Sequence, residues 1–354
     1  MVREIAIIPG TLGVPHNHQS SFHTRLAMSI TAIFQRLIIR IVTVLFHILT
    51  YDCEDPILAD KRREQDFMSF KKLGLSLCLI FAQSGCVKSM AINTLADALG
   101  DGGGTFAQDD DPDFVGQASA FGLKTIESLL AASPEHPKLL AAATRGFTQY
   151  AYAYLQTEAD YIEEQDYAAA KRLRFRAWKM YRRARQYGVR AIELVIESDF
   201  ASLGRETRLF ARFEKEHVDI LYWTAAASAA AVAVNKDDAE LAADLDLVGK
   251  MIGRAIELKP NYQAGALYDF MISWDGGRPA AAGGSLERAT DAYRKASELA
   301  SGRRLAPRLA YAESVCIKQQ NKSKFLELLK SIVVFDVDQH RDFRLANLIA
   351  QRRA

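Results

Sequence analysis

The stretch Asp237-Asp-Ala-Glu-Leu-Ala-Ala-Asp-Leu-Asp-Leu-Val-Gly-Lys-Met-Ile-Gly-Arg-Ala-Ile-Glu-Leu-Lys-Pro260 contains the pattern of a complete amphipathic helix. Its acidic start is a capping signal, and its apolar residues then recur at spacings of three and four, namely Leu241, Leu245, Val248, Ile252 and Ala255. Pro260 ends this helix, and Asn261 is placed to cap the next one, which runs to about Trp274. The stretch therefore predicts helices joined by short connections.

The rest of the chain follows the same pattern. Positions 138–259 contain no proline and are rich in Ala, Leu, Tyr, Arg and Glu, and no run of alternating β-branched residues follows Cys86. Further on, Ser285 is predicted to begin a helix and Ser323 to cap another. We therefore predict an all-α protein.

Short segments recur along these helices. Arg190-Ala-Ile-Glu-Leu194 returns as Arg254-Ala-Ile-Glu-Leu258, and Ala255 to Pro260 matches the end of a tetratricopeptide unit. In such a unit a small residue lets two helices approach closely, and proline ends the second helix. The spacing is irregular, so the prediction is a degenerate tetratricopeptide-like helical-repeat array over residues 87–354.

A secretion signal lies far from the first residue. Met68-Ser-Phe-Lys-Lys72 is followed by an apolar run and by Ser84-Gly-Cys86, which is the order of a charged region, an apolar region and a lipid-modified cysteine. Because such a signal works only at the N-terminus, residues 1–67 are predicted to be an upstream extension and residues 68–86 the signal peptide with its lipobox. Cys86 is then the predicted lipidation site, although Gln83 departs from the leucine that a lipobox prefers.

Composition limits the classes of function. Residues 87–354 contain 36 Lys plus Arg and 36 Asp plus Glu, so net charge gives no support for binding nucleic acid. This part has three histidines, His136, His217 and His340, and no G-x-S-x-G, HExxH or phosphate-loop motif. We expect no catalytic residues, no cofactor and no metal.

Two charged segments have more than one interpretation. Asp109-Asp-Asp-Pro-Asp113 could bind calcium, but it lacks the EF-hand spacing and also fits a helix start, with Asp111 as cap and Pro112 at the first helical position. Residues 171–190 contain nine basic residues and no acidic one. This basic stripe is either a solvated face or a docking site for an acidic partner protein, and its candidate docking residues are Arg172, Arg176, Lys179 and Arg183.

Aromatic residues form a third group. Phe147, Tyr150 and Tyr154 are spaced by three and four, and Tyr222-Trp223 precedes a run of small residues to Ala233. Small residues opposite aromatic ones can leave a groove or pore, and these five residues are our ligand or pore candidates. Close helix packing without a ligand is the alternative.

Several segments together match one known family. They are Asp97-Ala-Leu99 with the glycine run after it, Thr105-Phe-Ala-Gln-Asp-Asp-Asp-Pro112, Phe121-Gly-Leu-Lys124, Glu127-Ser-Leu-Leu130, Gly146-Phe-Thr-Gln-Tyr-Ala-Tyr152, Leu221-Tyr-Trp223, Tyr311-Ala-Glu313 and Arg344-Leu-Ala-Asn-Leu-Ile-Ala-Gln-Arg-Arg353. These segments resemble the T-component of TRAP transporters, and the similarity covers essentially all of residues 86–354.

The resemblance implies a periplasmic lipoprotein that forms a ring-shaped homotrimer and docks the solute-binding receptor of a tripartite ATP-independent transporter. It also implies that a ligand, of apolar type, passes through or beside a pore in the trimer. Val87 after the lipidation site favours the outer membrane of a Gram-negative bacterium. The alternative function is a helical-repeat scaffold lipoprotein that assembles envelope complexes and handles no ligand.

Overall fold

The computed structural model describes residues 103–354. The predicted extension, the signal peptide and Cys86 lie outside the described residues. The described part contains helices and no strand, which confirms the all-α class. Its α-helices are α1 Gly103–Gln108, α2 Pro112–Ala132, α3 Pro137–Tyr150, α4 Thr157–Ile162, α5 Tyr167–Ile196, α6 Ser202–Arg205, α7 Val218–Val234, α8 Ala239–Ala243, α9 Leu245–Leu258, α10 Ala266–Gly277, α11 Leu286–Ala300, α12 Ala306–Tyr311, α13 Lys322–Val333 and α14 Arg344–Arg353.

Two π-helical segments interrupt this series: π1, Ala151–Gln156, joins α3 to α4, and π2, Ala312–Cys316, continues α12. Short 3₁₀ turns occupy Thr207–Arg212, Lys215–His217, Tyr262–Ala264, Ala280–Ala282 and Val337–Phe343. Each helix packs on one close in sequence, which agrees with a paired arrangement. That these pairs are tetratricopeptide repeats stays a prediction.

Side-chain caps begin several helices where the sequence predicted them. The Asp111 carboxylate accepts hydrogen bonds from the backbone N–H groups of Asp113 (3.1 Å) and Phe114 (3.0 Å), and Pro112 holds the first position of α2. Ser285 caps α11 in the same way. Asp111 therefore acts as a helix cap, and no group of three or more metal-binding side chains occurs within residues 103–354.

Other boundaries differ from the sequence prediction. The helix predicted from Leu241 onward breaks at Asp244, so Asp238 caps the short α8 and α9 begins at Leu245. Gly265, not Asn261, precedes α10. Its φ of 99° lies in a region that residues with a side chain rarely adopt, and a Cβ there would also lie 3.2 Å from the Ala296 carbonyl oxygen.

A third boundary prediction was also wrong. The side chain of Asn321, and not that of Ser323, caps α13 by accepting the Lys324 N–H at 3.0 Å. An amide caps a helix as well as a hydroxyl does, so the choice between neighbouring polar residues was not fixed by their chemistry.

The main apolar core surrounds α5, which packs against α3 and α7. Leu140, Ile192 and Leu221 are completely buried there. Helices α5 and α7 approach each other closely at Gly188, where a Cβ would lie 2.2 Å from the Thr224 Oγ1 atom. Residues Lys215–Val234 are long and apolar enough to cross a membrane, but half of that window is buried, as befits a central core helix.

Candidate functional site

The C-terminal helix α14 returns to the helices at the start of the described chain. Arg344 pairs with Asp110 at 3.1 Å, and Arg352 pairs with Asp113 at 3.2 Å and with Glu158 at 2.7 Å. Arg353 reaches Asp160 of α4 at 2.9 Å. We call this contact between α14 and helices α1, α2 and α4 the seam. It brings together residues about 200 positions apart along the chain.

Arg353 occupies the inner end of the seam. Its guanidinium donates to Asp160 (2.9 Å) and to Glu313 of π2 (2.7 Å), and it lies 5.7 Å from the centre of the Tyr152 ring. Asp160 also accepts a hydrogen bond from Arg174 of α5 at 2.8 Å. Burial raises the pKa of the Glu313 carboxyl, although Arg353 beside it acts in the opposite direction. The cluster is therefore a network of shared charges and not a set of separate ion pairs.

The two π segments supply the groups that meet Arg353. Tyr152 lies in π1 and Glu313 in π2, and both segments continue an α-helix without a break in the chain. A π-helix inserts an extra residue into the turn and so redirects the side chains beside it, and such segments are frequent at functional sites. The two irregular segments thus face the same arginine.

Tyr152 is partly exposed beside Arg353. It keeps 37% of its surface accessible, and loss of solvation raises the pKa of its hydroxyl to about 12. The Arg353 guanidinium lies over its ring. Burial also raises the pKa of Tyr222 on α7. We call the partly covered position of the Tyr152 ring beside Arg353 the recess.

The predicted aromatic candidates occupy different surroundings. Phe147 is 2% exposed, stacks on Tyr187 at 6.0 Å and belongs to the main apolar core. Tyr150 and Tyr154 contact each other at 5.6 Å, and the Tyr154 ring fills the space beside Gly116 of α2.

The second aromatic pair lies on α7. Tyr222 and Trp223 meet edge to face at 4.7 Å, and Tyr222 also contacts Tyr262 at 5.5 Å. Trp223 is buried, and its indole N–H has no hydrogen-bond partner among the described residues, as is true of the Tyr154 hydroxyl. Tyr222 therefore belongs to an aromatic cluster with Trp223 and Tyr262.

The predicted docking residues differ in whether they form ion pairs. Arg172, Arg176 and Lys179 are exposed on α5, and within residues 103–354 they form no ion pair. Arg183 instead pairs with Glu127 at 3.5 Å and lies over the Phe147 ring at 5.4 Å. It therefore stabilises the contact between α2, α3 and α5, while its side chain keeps 40% of its surface exposed.

Exposed aromatic residues lie beside these exposed basic ones. Phe175 is 55% exposed and Tyr167 65%, and the Lys179 ammonium lies 4.8 Å from the centre of the Phe175 ring. At helical spacing these residues and Lys171 cover one side of α5, opposite the buried Ala177 and Tyr181. We call the set Tyr167, Lys171, Arg172, Phe175, Arg176 and Lys179 the α5 face.

Sequence reasoning missed the residues of the seam as functional candidates. The acidic residues before α5 and the two final arginines were each visible, but no sequence signal pairs Asp160 with Arg353 across 193 positions. Tyr152 lies between Tyr150 and Tyr154, outside the spacing of three and four that selected them, and the π1 segment that changes the helical turn there was not predicted.

The comparison with known families now identifies the chain. A family model described as TRAP transporter T-component matches residues 108–354. The chain belongs to this family. A protein of Treponema pallidum (strain Nichols), described only as uncharacterized, is 29% identical over 254 residues, which cover 70% of this chain and 79% of that protein. The family match includes α2 to α14 and hence both the α5 face and the seam.

Membership sets the broad role of this T-component. It is an accessory component of a TRAP transporter, and its place is the bacterial cell envelope. The family is one of transporter components and not of enzymes.

Proposed function

We propose that this T-component is a periplasmic lipoprotein that docks the solute-binding receptor of its TRAP transporter through the α5 face. The observation that carries the proposal is the exposure of Arg172, Arg176 and Lys179 beside Phe175, without an ion pair in the described part of the chain, in a member of the T-component family. The residues before the fold, with the predicted lipidation site Cys86, would anchor it to the membrane.

The chemistry of the α5 face supports a protein partner over a purely solvated surface. Other basic residues of α5 near this face already form ion pairs: Arg174 pairs with Glu163 at 2.6 Å, and Arg182 pairs with Glu240 at 3.2 Å. Arginine and aromatic residues are enriched at protein interfaces, where an aromatic anchor is surrounded by polar residues. Phe175 fits the anchor, and the exposed cations around it fit an acidic partner surface.

The recess supplies the ligand-handling part of the proposal. Tyr152 offers ring surface there, and its phenol, whose pKa is raised to about 12, is neutral at physiological pH. The carboxylates Asp160 and Glu313 are balanced by Arg353 and Arg174, so the charges around the ring favour neither an anion nor a cation. We infer that an apolar, uncharged ligand part suits this space, and that a homotrimer would place three such spaces beside its docked receptors.

Charge reversal of the α5 face tests docking. The variant Arg172→Glu/Arg176→Glu/Lys179→Glu is compared with Lys250→Glu/Lys322→Glu/Lys330→Glu, which makes the same charge change at exposed residues of α9 and α13. Association with the cognate receptor, measured by surface plasmon resonance at low and at physiological salt, should slow at least about tenfold for the first variant. The difference in association rate between this variant and the wild type should become smaller as salt increases, because salt screens exposed charges.

The control separates docking from general electrostatics. The second variant should associate at close to the wild-type rate, and both should keep wild-type circular dichroism. Equal rates for the two variants would remove the α5 face from the docking site. A wild-type protein that binds no receptor at all would instead favour the alternative, an envelope scaffold without a role in uptake.

A further inference from the structure

The seam differs in kind from the other helix contacts. Around it Gln108 donates to Asp342 at 3.3 Å, Arg344 pairs with Asp110, and Arg352 and Arg353 pair with α2 and α4. None of the buried apolar clusters formed within residues 103–354 joins α14 to α1, α2 or α4. The side-chain hydrogen bonds and ion pairs across the seam thus have no cluster of buried apolar residues behind them.

On its other side, α14 is held firmly. Ala350 is buried with Leu305, Leu309 and Ile332 in one apolar cluster. The Asn347 side chain, 1% exposed, accepts the Leu305 N–H at 3.0 Å and donates to the Arg303 carbonyl at 2.9 Å. These buried and satisfied groups hold α14 against the region of α12 and α13 independently of the seam.

The seam pairs are of the weak kind. Asp113 and Asp110 keep 81% and 69% of their side-chain surface exposed. Ion pairs at such sites contribute little each, since water already solvates the separated charges and salt screens their attraction. The inner pair of Arg353 and Asp160 is more protected, but it depends on the same helix staying in place.

Tyr152 lies directly behind this inner pair, with the Arg353 guanidinium over its ring. Asp160 and Glu313 both accept hydrogen bonds from that guanidinium, and Asp160 accepts another from Arg174. We propose that the seam is a latch: release of Arg352 and Arg353 from α2 and α4 opens the recess at Tyr152 sideways while the core around α5 remains folded. The latch does not depend on receptor docking.

Cysteine labelling tests the latch. Tyr152→Cys is made in the full chain with Cys53, Cys78 and Cys86 changed to Ser, and reaction with a bulky maleimide is followed by mass spectrometry. The buried Cys316, 1% exposed, reports unfolding of the whole domain in the same molecule. The latch variant is Arg352→Gln/Arg353→Gln, and the control is Arg205→Gln/Arg208→Gln, whose ion pairs with Asp199 and Glu206 are local.

The expected result is specific. Labelling at position 152 should accelerate about tenfold in the latch variant, as the loss of several weak ion pairs predicts, and should accelerate with NaCl when both arginines are present. Labelling of Cys316 should not change, and the control should behave like its parent. Arg352→Lys/Arg353→Lys should fall between the two, because it keeps charge but loses the paired geometry.

Two results would overturn the proposal. One is an equal labelling rate at position 152 in parent and latch variant at every salt concentration. The other is a parallel rise at Cys316, which would make the seam part of global unfolding. Since Tyr152→Cys itself removes a ring below Arg353, hydrogen exchange in the otherwise native chain is measured as well: amides of the short helices α1 and α4 across the seam should exchange faster in the latch variant, and those of α7 should not.

Discussion

Two contacts in this T-component hold helices together by different means. Around α5, buried Leu, Ile and Ala side chains from α3, α5, α7 and α9 interlock, and the helix backbones approach closely at Gly188. At the seam, arginines of α14 reach carboxylates of α2 and α4. Buried apolar surface costs much free energy to expose, and salt does not screen it. Partly exposed ion pairs cost little to separate, and salt weakens them.

The difference indicates which part of the protein carries stability and which part can move. Regions that open locally are those with few buried apolar contacts, while strongly packed cores open only in global unfolding. The α5 core provides a rigid support for an exposed docking face on its outer side. The seam closes the recess with contacts that can be broken without dismantling that support.

Core truncation should have the largest effect. Leu140 is fully buried in the main cluster, so Leu140→Ala should lower the free energy of unfolding by about 2–5 kcal/mol, through lost apolar burial and the cavity that remains. Leu194→Ala, at a site 38% exposed on α5, is the matched control and should cost under about 1 kcal/mol. Urea unfolding followed by circular dichroism measures both. Similar losses for the two would contradict the assignment of the core.

A glycine pair tests the close approach within the core. Gly188→Ala should destabilise by about 1–3 kcal/mol, because the new Cβ would meet Thr224. Gly253→Ala lies in α9, where an added Cβ would have nothing within 4 Å, and it should stabilise by up to about 1 kcal/mol, since alanine favours helix. Opposite signs in thermal melts are the expected outcome, and a neutral Gly188→Ala would show that α5 and α7 can separate without cost.

The sequence was sufficient for the helices of the core and insufficient for the seam. Spacings of three and four between apolar residues predicted the long helices, and Asp111 and Ser285 marked their starts correctly. Boundaries failed where several polar residues were available, as at Asn321. These are local choices, and the final selection depends on tertiary packing.

The candidate site was predicted in part, for a physical reason. Arg172, Arg176 and Lys179 could be placed on one face because that face follows from helical geometry alone. Arg183 could not be separated from them, because Glu127 reaches it from another helix. Tyr152 and Arg353 meet only after the whole chain has folded, and no periodicity contains that information.

The buried pair of Arg304 and Asp269 should make the free energy of unfolding depend on pH, with an effect smaller than that of core truncation. Burial raises the pKa of Asp269 to about 6, against the influence of Arg304, and its Oδ1 atom has no partner within the described part of the chain. A carboxyl whose pKa is higher in the folded state stabilises that state below its unfolded pKa of about 3.9, and the contribution is lost as pH rises through 6.

The comparison with Asp269→Asn isolates this carboxyl. Relative to that variant, the wild type should lose about 1–2 kcal/mol of unfolding free energy between pH 4 and pH 7. Urea unfolding across this range measures the difference, and other carboxyls cancel between the two proteins. A difference that does not vary with pH would mean that Asp269 is ionised throughout, held by Arg304.

The smallest effect on global stability should come from the seam. Arg352→Gln removes the pairs with Asp113 and Glu158, but α14 keeps its apolar contacts through Ala350 and its hydrogen bonds through Asn347. The free energy of unfolding should therefore fall by under about 1 kcal/mol, and the deficit should shrink in about 1 M NaCl, where the wild-type pairs are also screened. Chemical unfolding at low and high salt, with Arg205→Gln as the control, measures it. A loss as large as that of Leu140→Ala, and unaffected by salt, would mean that the seam is part of the core, and the contrast between the two regions would not hold.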